Sequence, residues 1–394
     1  MPTILGLRDT ADFPADERPK NWREMILRLY PRSEQKAPLN ALIAGMKKEA
    51  TTDPEFNWFD KASPARYTQC NYSTGYGTTD TTIVVDDASI FRADDLVRND
   101  VTDEVMRVTT NPVSATQIVV ERGWGSTPAA IAENEDFFVI GPAIAEGAPT
   151  RSALYRDPNK RSNYTQIYRF PLSLTKTAKA TKLRTGKAYA EAKREALDMH
   201  TIDMERSMIW GVKNEDTSGS EPKRSTGGIL SFLSTNVATV SGGNLTAAIW
   251  DAFLRDLFKF GAGEKLCFCG NHLLMVLNQM AEARGQVKLT VAASVYGIAV
   301  TKWVTPFGTV YLKNHPLFNE IVPHSKMGLF IEPRRIIYRP LIGNGENRDT
   351  KFLTDREARG EDKDTDEFLT ECGLEVQLEQ VHGVIKNVNA YSSS

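Results

Sequence analysis

The sequence predicts an α+β fold on three observations: short strand signals over residues 66–145, a long proline-free helical stretch near 185–213, and alternating helix and strand signals over 225–340. A chain built from one element type would not change its apolar period twice. With 394 residues there is length for one large core or for two or three smaller ones.

Residues 1–65 read as an arm. Helix-capable runs at Trp22–Leu29 and Leu39–Lys48 are separated by Pro14, Pro19, Pro31, Pro38 and Pro54, and Phe56, Trp58 and Phe59 are among the few apolar anchors. Nine basic against seven acidic side chains in residues 1–50 argue against a polycationic genome-binding tail.

Residues 66–147 read as an inserted β-rich module. Thr82–Val85, Asp94–Val97, Glu104–Val108, Gln117–Val120 and Phe137–Ile140 are short apolar-bearing runs, separated by turn formers such as Asp86-Asp87, Asn111-Pro112 and Gly123-Trp124-Gly125. Four or five such strands predict a small sandwich or barrel. Residues 148–182 follow as a strand or hairpin. Their eight basic side chains face Asp157 alone, a formal +7.

Residues 183–224 hold the longest helical signal. Ala192, Ala196, Met199, Ile202 and Ile209 recur mostly at three- or four-residue spacing, with Lys187/Glu191 and Arg194/Asp198 four apart. Such a helix is on the order of 40 Å long, a spine. Residues 225–345 then predict an α/β domain, with helices at Thr246–Phe260 and Asn271–Arg284 and strands at Lys265–Cys269, Gly297–Val304, Gly308–Asn314 and Met327–Ile331. Over 346–394 the alternation in Leu374–Glu379 and the apolar Val384-Ile385 predict strands that return to the main sheet.

Composition excludes several classes. The chain is 41% apolar and 25% charged, lacks an apolar run of the ~18 residues a membrane span needs, and starts without the basic-then-apolar pattern of a signal peptide, so synthesis in a cytoplasm is expected. Cys70, Cys267, Cys269 and Cys372 are too few and scattered for a disulfide framework. A net charge of −2 does not suit a protein whose bulk neutralises nucleic acid.

Chemistry-bearing residues are sparse. Cys267-x-Cys269 with His272 lacks the spacing and fourth ligand of a zinc site and reads as buried strand. Gly75/Gly77 and Gly343/Gly345 lack the lysine and helix of a phosphate loop and read as turns. His200, His272, His315, His324 and His382 are dispersed, without a nucleophile elbow. The carboxylates around Asp355–Asp364 lack the spacing and central glycine of a calcium loop and read as a solvated acidic face. No catalytic residue, cofactor or metal is expected.

Several segments, in this order, carry a resemblance: Phe56-Asn57-Trp58-Phe59, Tyr168–Ser173 leading into Arg184-Thr185-Gly186-Lys187, Glu205–Gly211, Ser225–Leu230 and Thr354–Glu357. With the succession of arm, β-rich projection, spine helix, α/β domain and returning strand, the chain resembles major capsid proteins of tailed bacteriophages of the Hong Kong 97 type. The resemblance covers nearly the whole chain. It implies an N-arm, an extended loop, a peripheral domain on a spine helix and an axial domain, with the β-module as an addition. It also implies a virion shell of hexamers and pentamers around double-stranded DNA held without sequence specificity, a portal partner, scaffolding and decoration partners, and no membrane. The prototype cross-links lysine to asparagine; Lys160 and Lys176 match no such motif, and that chemistry is not carried over.

Residues 345–379 hold twelve carboxylates against five basic side chains, formally −7, the counterpart of the basic 148–182. If the basic segment projects, its target is the acidic edge of the next subunit, which would fix register and association rate. This makes Arg151, Arg156, Lys160, Arg161, Tyr168, Arg169, Asp355, Arg356, Glu357, Glu361, Asp362 and Asp364 candidate inter-subunit contacts. The alternative is that both segments are solvated or pair within one chain, where exposed ion pairs contribute little. Three rival functions are an encapsulin-type compartment shell, a nucleic-acid binder using Tyr155, Tyr164 and Tyr168 among the arginines, and a hydrolase whose site no motif reveals.

Overall fold

The computed structural model describes residues 36–44, 47–61, 65–112, 114–151, 153–183, 186–283, 291–295 and 298–392. The helix expected at Trp22–Leu29 lies outside them. Contacts divide the chain into two compact units, Asp60–Asn159 and the remainder.

In the smaller unit six strands lie in the spatial order Tyr67–Gln69, Asp136–Pro142, Asp95–Asn99, Val105–Val108, Gln117–Glu121 and Thr82–Val84, each antiparallel to its neighbours. A bridge between Cys70 and Val85 joins the first strand to the last, so the sheet closes into a barrel with no free edge. Alternation drives this: Ile83, Val97, Met106, Val108, Ile118, Val120 and Phe137 point inward and are buried. Glu104, fully buried, clamps the loop after Glu121 by accepting from Arg122 Nε at 2.8 Å and Nη2 at 2.7 Å and from the Ala129 amide at 3.0 Å. The strand Tyr67–Gln69, not expected from the sequence, is three residues long and too short to leave a periodic signal.

The larger unit contains a seven-stranded mixed sheet in the order Val237–Thr239, Gly383–Lys386, Gly328–Ile331, Glu264–Cys269, Thr309–Asn314, Ile298–Val304, Val291–Val295. Both of its faces are covered. Cys267, Cys269, Phe330 and Ile385 share one core with Trp250, Phe253 and Leu254 of the helix Ala247–Leu257 and with Leu273, Val276 and Leu277 of the helix Asn271–Ala283. Leu266, Phe268, Leu329 and Val384 point the other way, into a core with Met204, Met208 and Ile209. That double burial explains the unbroken apolar run Leu266-Cys267-Phe268-Cys269.

A second sheet centres on the 14-residue strand Lys363–Val376, buried at every position from Asp366 onward. Cys372 pairs with Gln166 of the strand Gln166–Thr175 on one side and with Pro340 of Ile336–Pro340 on the other. The spine helix runs from Ala188 to Trp210, about 35 Å at the usual rise. It ends where Gly211 abuts Gly228; a Cβ on Gly211 would stand 2.3 Å from the Ser207 carbonyl oxygen. Among the described residues no helix is long and apolar enough to cross a membrane.

Two expectations need correction. Met199, counted on the buried face of the spine, is 47% exposed, and the buried row is Ala196, His200, Met204 and Met208 with Ile202, Glu205 and Ile209 beside it. The polar His200 and Glu205 hold positions that an apolar count assigns to solvent. Nor is 148–182 a hairpin. Asn159–Tyr164 pairs with the strand Glu55–Asp60, whereas Gln166–Thr175 pairs with Lys363–Val376. The buried Asn163 diverts the chain between them: its Nδ2 donates to the carbonyls of Leu374 at 2.7 Å and Gly227 at 3.0 Å, and its Oδ1 accepts from the Gly227 amide at 2.7 Å.

Candidate assembly surface

The arm is fastened by a buried carboxylate. Glu205 on the spine accepts from the Leu39 and Asn40 amides at 2.7 Å each, the first turn of the short arm helix Pro38–Ala44, and its Oε1 lies 2.8 Å from His315 Nε2. Glu205 and His315 are both fully buried, and Leu39, Leu42 and Ile43 sink into the spine's core. A helix start presents unpaired amides and a positive dipole end, so a carboxylate is the partner it lacks locally. Farther along, Glu49 and Thr51 donate through their amides to Tyr338 and Pro340 carbonyls.

The basic and acidic segments meet inside one chain. Strand Gln166–Thr175 runs antiparallel to Lys363–Cys372 over ten residue pairs. Arg169 grips Glu367 through Nε at 3.0 Å and Nη2 at 2.7 Å, and Arg356 approaches the same carboxylate at 3.6 Å. Lys179 pairs with Asp364, which raises its pKa, and Lys176 stands 3.8 Å from Asp362. These pairs form within one chain. β-pairing of the backbones sets the side chains opposite one another whatever a neighbour does.

The other candidates are placed as follows. Arg151 holds buried Asp95 at 2.8 Å and Arg156 holds Asp87 at 2.7 Å, both inside the barrel unit. Tyr168 is 5% exposed, its hydroxyl 2.5 Å from Ser207 Oγ and its pKa raised by burial. It is a core residue and reaches no surface. Glu357 accepts from the Thr365 amide at 3.2 Å, Glu361 pairs with Lys363 at 2.9 Å, and Asp355 takes a left-handed φ of 58° at the turn before them. Lys160 is exposed and Arg161 half-buried, and neither has a carboxylate partner among the described residues.

Cys267 and Cys269 face the helical core, burial pushing the Cys267 thiol up, while His272 Nε2 lies 2.7 Å from the Asn389 carbonyl. Among the described residues no group of three His, Cys, Asp or Glu is arranged to hold a metal. His382 is buried beside Lys265, which together depress its pKa to about 3, and its Nδ1 accepts from the Glu332 amide at 3.2 Å. His200 Nε2 is 2.8 Å from Thr370 Oγ1, and His324 stacks on Trp210. The roles of Glu205, of His315 among the five dispersed histidines, and of Asn163 have no local sequence signal, because each is one polar residue whose partners lie far along the chain.

Joined by these contacts, arm, spine and two sheets make one compact unit. A family model described as the SU10 major capsid protein matches residues 13–389. The chain belongs to that family. A relative, the major capsid protein of Pseudomonas phage PaMx41, is 26% identical over 335 residues, 82% of this chain and 78% of the relative. The capsid of a native GTA particle superposes with a TM-score of 0.50 at 10% identity, over 96% of this chain and 97% of that one, a likeness of fold. An encapsulin complex from Synechococcus elongatus gives a TM-score of 0.44 at 13% identity over 60% of this chain and 80% of that one. The fold is the Hong Kong 97 capsid type with a β-module added. This phage major capsid protein self-associates into the virion shell.

Proposed function

We propose that the capsid chain forms hexamers and pentamers of an icosahedral head that encloses double-stranded DNA without reading its sequence, and that it performs no catalysis. Membership of a major capsid protein family over residues 13–389 carries this reading. Within the shell we assign residues 1–65 to the N-arm, 66–147 to the added module, 148–182 to the extended loop, 183–224 to the spine and start of the peripheral domain, 225–345 to the axial domain and 346–394 to the returning peripheral strands. The subunit is made in the host cytoplasm and meets a portal, with scaffolding and decoration proteins as further partners. Of the candidate contacts, Lys160, Arg169, Asp355, Arg356, Glu361 and Asp362 are exposed and Arg161 is half-buried, which leaves them within reach of a neighbour.

The test is expression of the full chain followed by sedimentation and negative-stain microscopy. Closed particles or capsomer rings are expected. A chain that stays monomeric at high concentration overturns the reading. Particles that enclose a protein cargo in place of DNA when recovered from infected cells would move it to the compartment-shell alternative.

A further inference from the structure

Charge is divided unequally between the two units. Residues 60–159 carry fifteen carboxylates against eight basic side chains, a net −7, which leaves +5 on the remainder. The module's negative charge is concentrated at one end of its barrel. Asp100 and Asp103 follow the strand Asp95–Asn99, and Glu133, Glu135 and Asp136 lead into Asp136–Pro142. The Asp100 amide donates to the Asp136 carbonyl at 3.0 Å and Asn99 Nδ2 to Glu135 at 2.5 Å, so the two turns lie together. Arg98 answers Asp103 only; Asp100, Glu133 and Asp136 have no ion-pair partner among the described residues.

An apolar surface adjoins this end. Val101 at the turn tip is 68% exposed. Phe138 and Ile140 follow Asp136 on the barrel's outer face, and Tyr67 sits opposite Phe138. Ile140 and Tyr67 are each 53% exposed, in a protein whose barrel interior is otherwise filled.

The opposite character appears on the larger unit. Between Lys176 and Lys187 the sequence has five basic residues and no carboxylate. Lys176 and Lys179 of the short helix Lys176–Ala180 answer Asp362 and Asp364 of their own chain, whereas Lys182 and Lys187 beyond it are exposed and have no acidic partner among the described residues, and Leu183 is 43% exposed.

We infer that the acidic end of the barrel module on one copy receives the exposed Lys182, Leu183 and Lys187 of a neighbouring copy. Asp100, Glu133 and Asp136 on the one surface and Lys182 and Lys187 on the other have no ion-pair partner among the described residues, and both surfaces expose apolar side chains. A second copy is the occupant that a shell of identical chains always supplies, and many weak ion pairs count when every subunit repeats them. This rests on the shell-building reading above.

The experiment uses the full chain in three forms: Asp100→Lys/Glu133→Lys/Asp136→Lys, Lys182→Glu/Lys187→Glu, and all five together. These side chains are exposed, and circular dichroism confirms that each form is folded. At low salt each partial reversal is expected to lower particle yield at least tenfold, the five-fold variant to recover it, and an equimolar mixture of the two partial variants to assemble where neither does alone. A partial reversal that assembles like the parent overturns the inference. So does a mixture no better than its components while the five-fold variant assembles, which would place the contact within one chain. Failure of the unaltered chain to form particles or rings is the separate result that overturns the shell-building reading itself.

Discussion

Replacing Glu205 with alanine would detach the arm from the spine. Three donors, the Leu39 and Asn40 amides and His315 Nε2, converge on one buried carboxylate, and alanine leaves all three without an acceptor. An unsatisfied buried donor costs about 1–3 kcal/mol, but the two amides gain water when the helix start swings out, so the expected total is about 3–5 kcal/mol. Glu205→Gln keeps an acceptor and loses the charge, and should fall between parent and alanine. Urea unfolding of the unassembled subunit measures the loss. Limited trypsin digestion locates it, because cleavage after Lys47 and Lys48 should quicken at least tenfold while sites in the barrel stay protected. An alanine variant within about 1 kcal/mol of the parent, with the same tryptic pattern, would refute the idea that this carboxylate anchors the arm.

Asn163→Ala should cost about 2–4 kcal/mol in the same unfolding assay, since it orphans the Gly227 amide and the Leu374 carbonyl in a buried site. Gly211→Ala should destabilise the subunit by at least about 2 kcal/mol or abolish soluble expression, because its Cβ would collide with the Ser207 and Thr226 carbonyls. Arg169→Ala, at an ion pair more than half exposed on the arginine side, should cost less than about 1 kcal/mol. His382 is held neutral, with its folded pKa far below the ordinary value. Its contribution to stability is therefore complete above about pH 6.5 and is lost as pH falls toward 3, at about 1.4 kcal/mol per pH unit for one proton. His382→Asn, which can still accept from the Glu332 amide, should flatten the pH-stability curve by that one proton.

The elements were legible where local pattern matched final burial. The strand Lys265–Cys269, the helix starting at Asn271 and the return of Val384-Ile385 to the main sheet emerge nearly at their expected bounds, because the strands' apolar runs are buried on both faces and the helix keeps its apolar residues on one buried stripe. Pairing across long separation was not legible. That Gln166–Thr175 lies beside Lys363–Cys372 depends on Asn163 turning the chain away from a hairpin, and a lone asparagine looks like any turn former. The opposite charges of the two segments were visible in the sequence, but sign alone does not say whether the partner belongs to the same chain. The arm joint was hidden for a related reason: a buried glutamate on a helix looks like a solvent-facing one until Leu39 and His315 arrive from elsewhere.

The strands Glu55–Asp60 and Asn159–Tyr164 pair, and the bond from the Thr165 amide to the Pro54 carbonyl at 2.8 Å shows them running antiparallel. The hundred residues of the smaller unit thus begin and end on paired strands. Loss or exchange of that segment breaks the chain only at two points already held side by side, which makes the position a natural place for lineages to diversify and for engineers to graft a guest domain whose two ends lie close together.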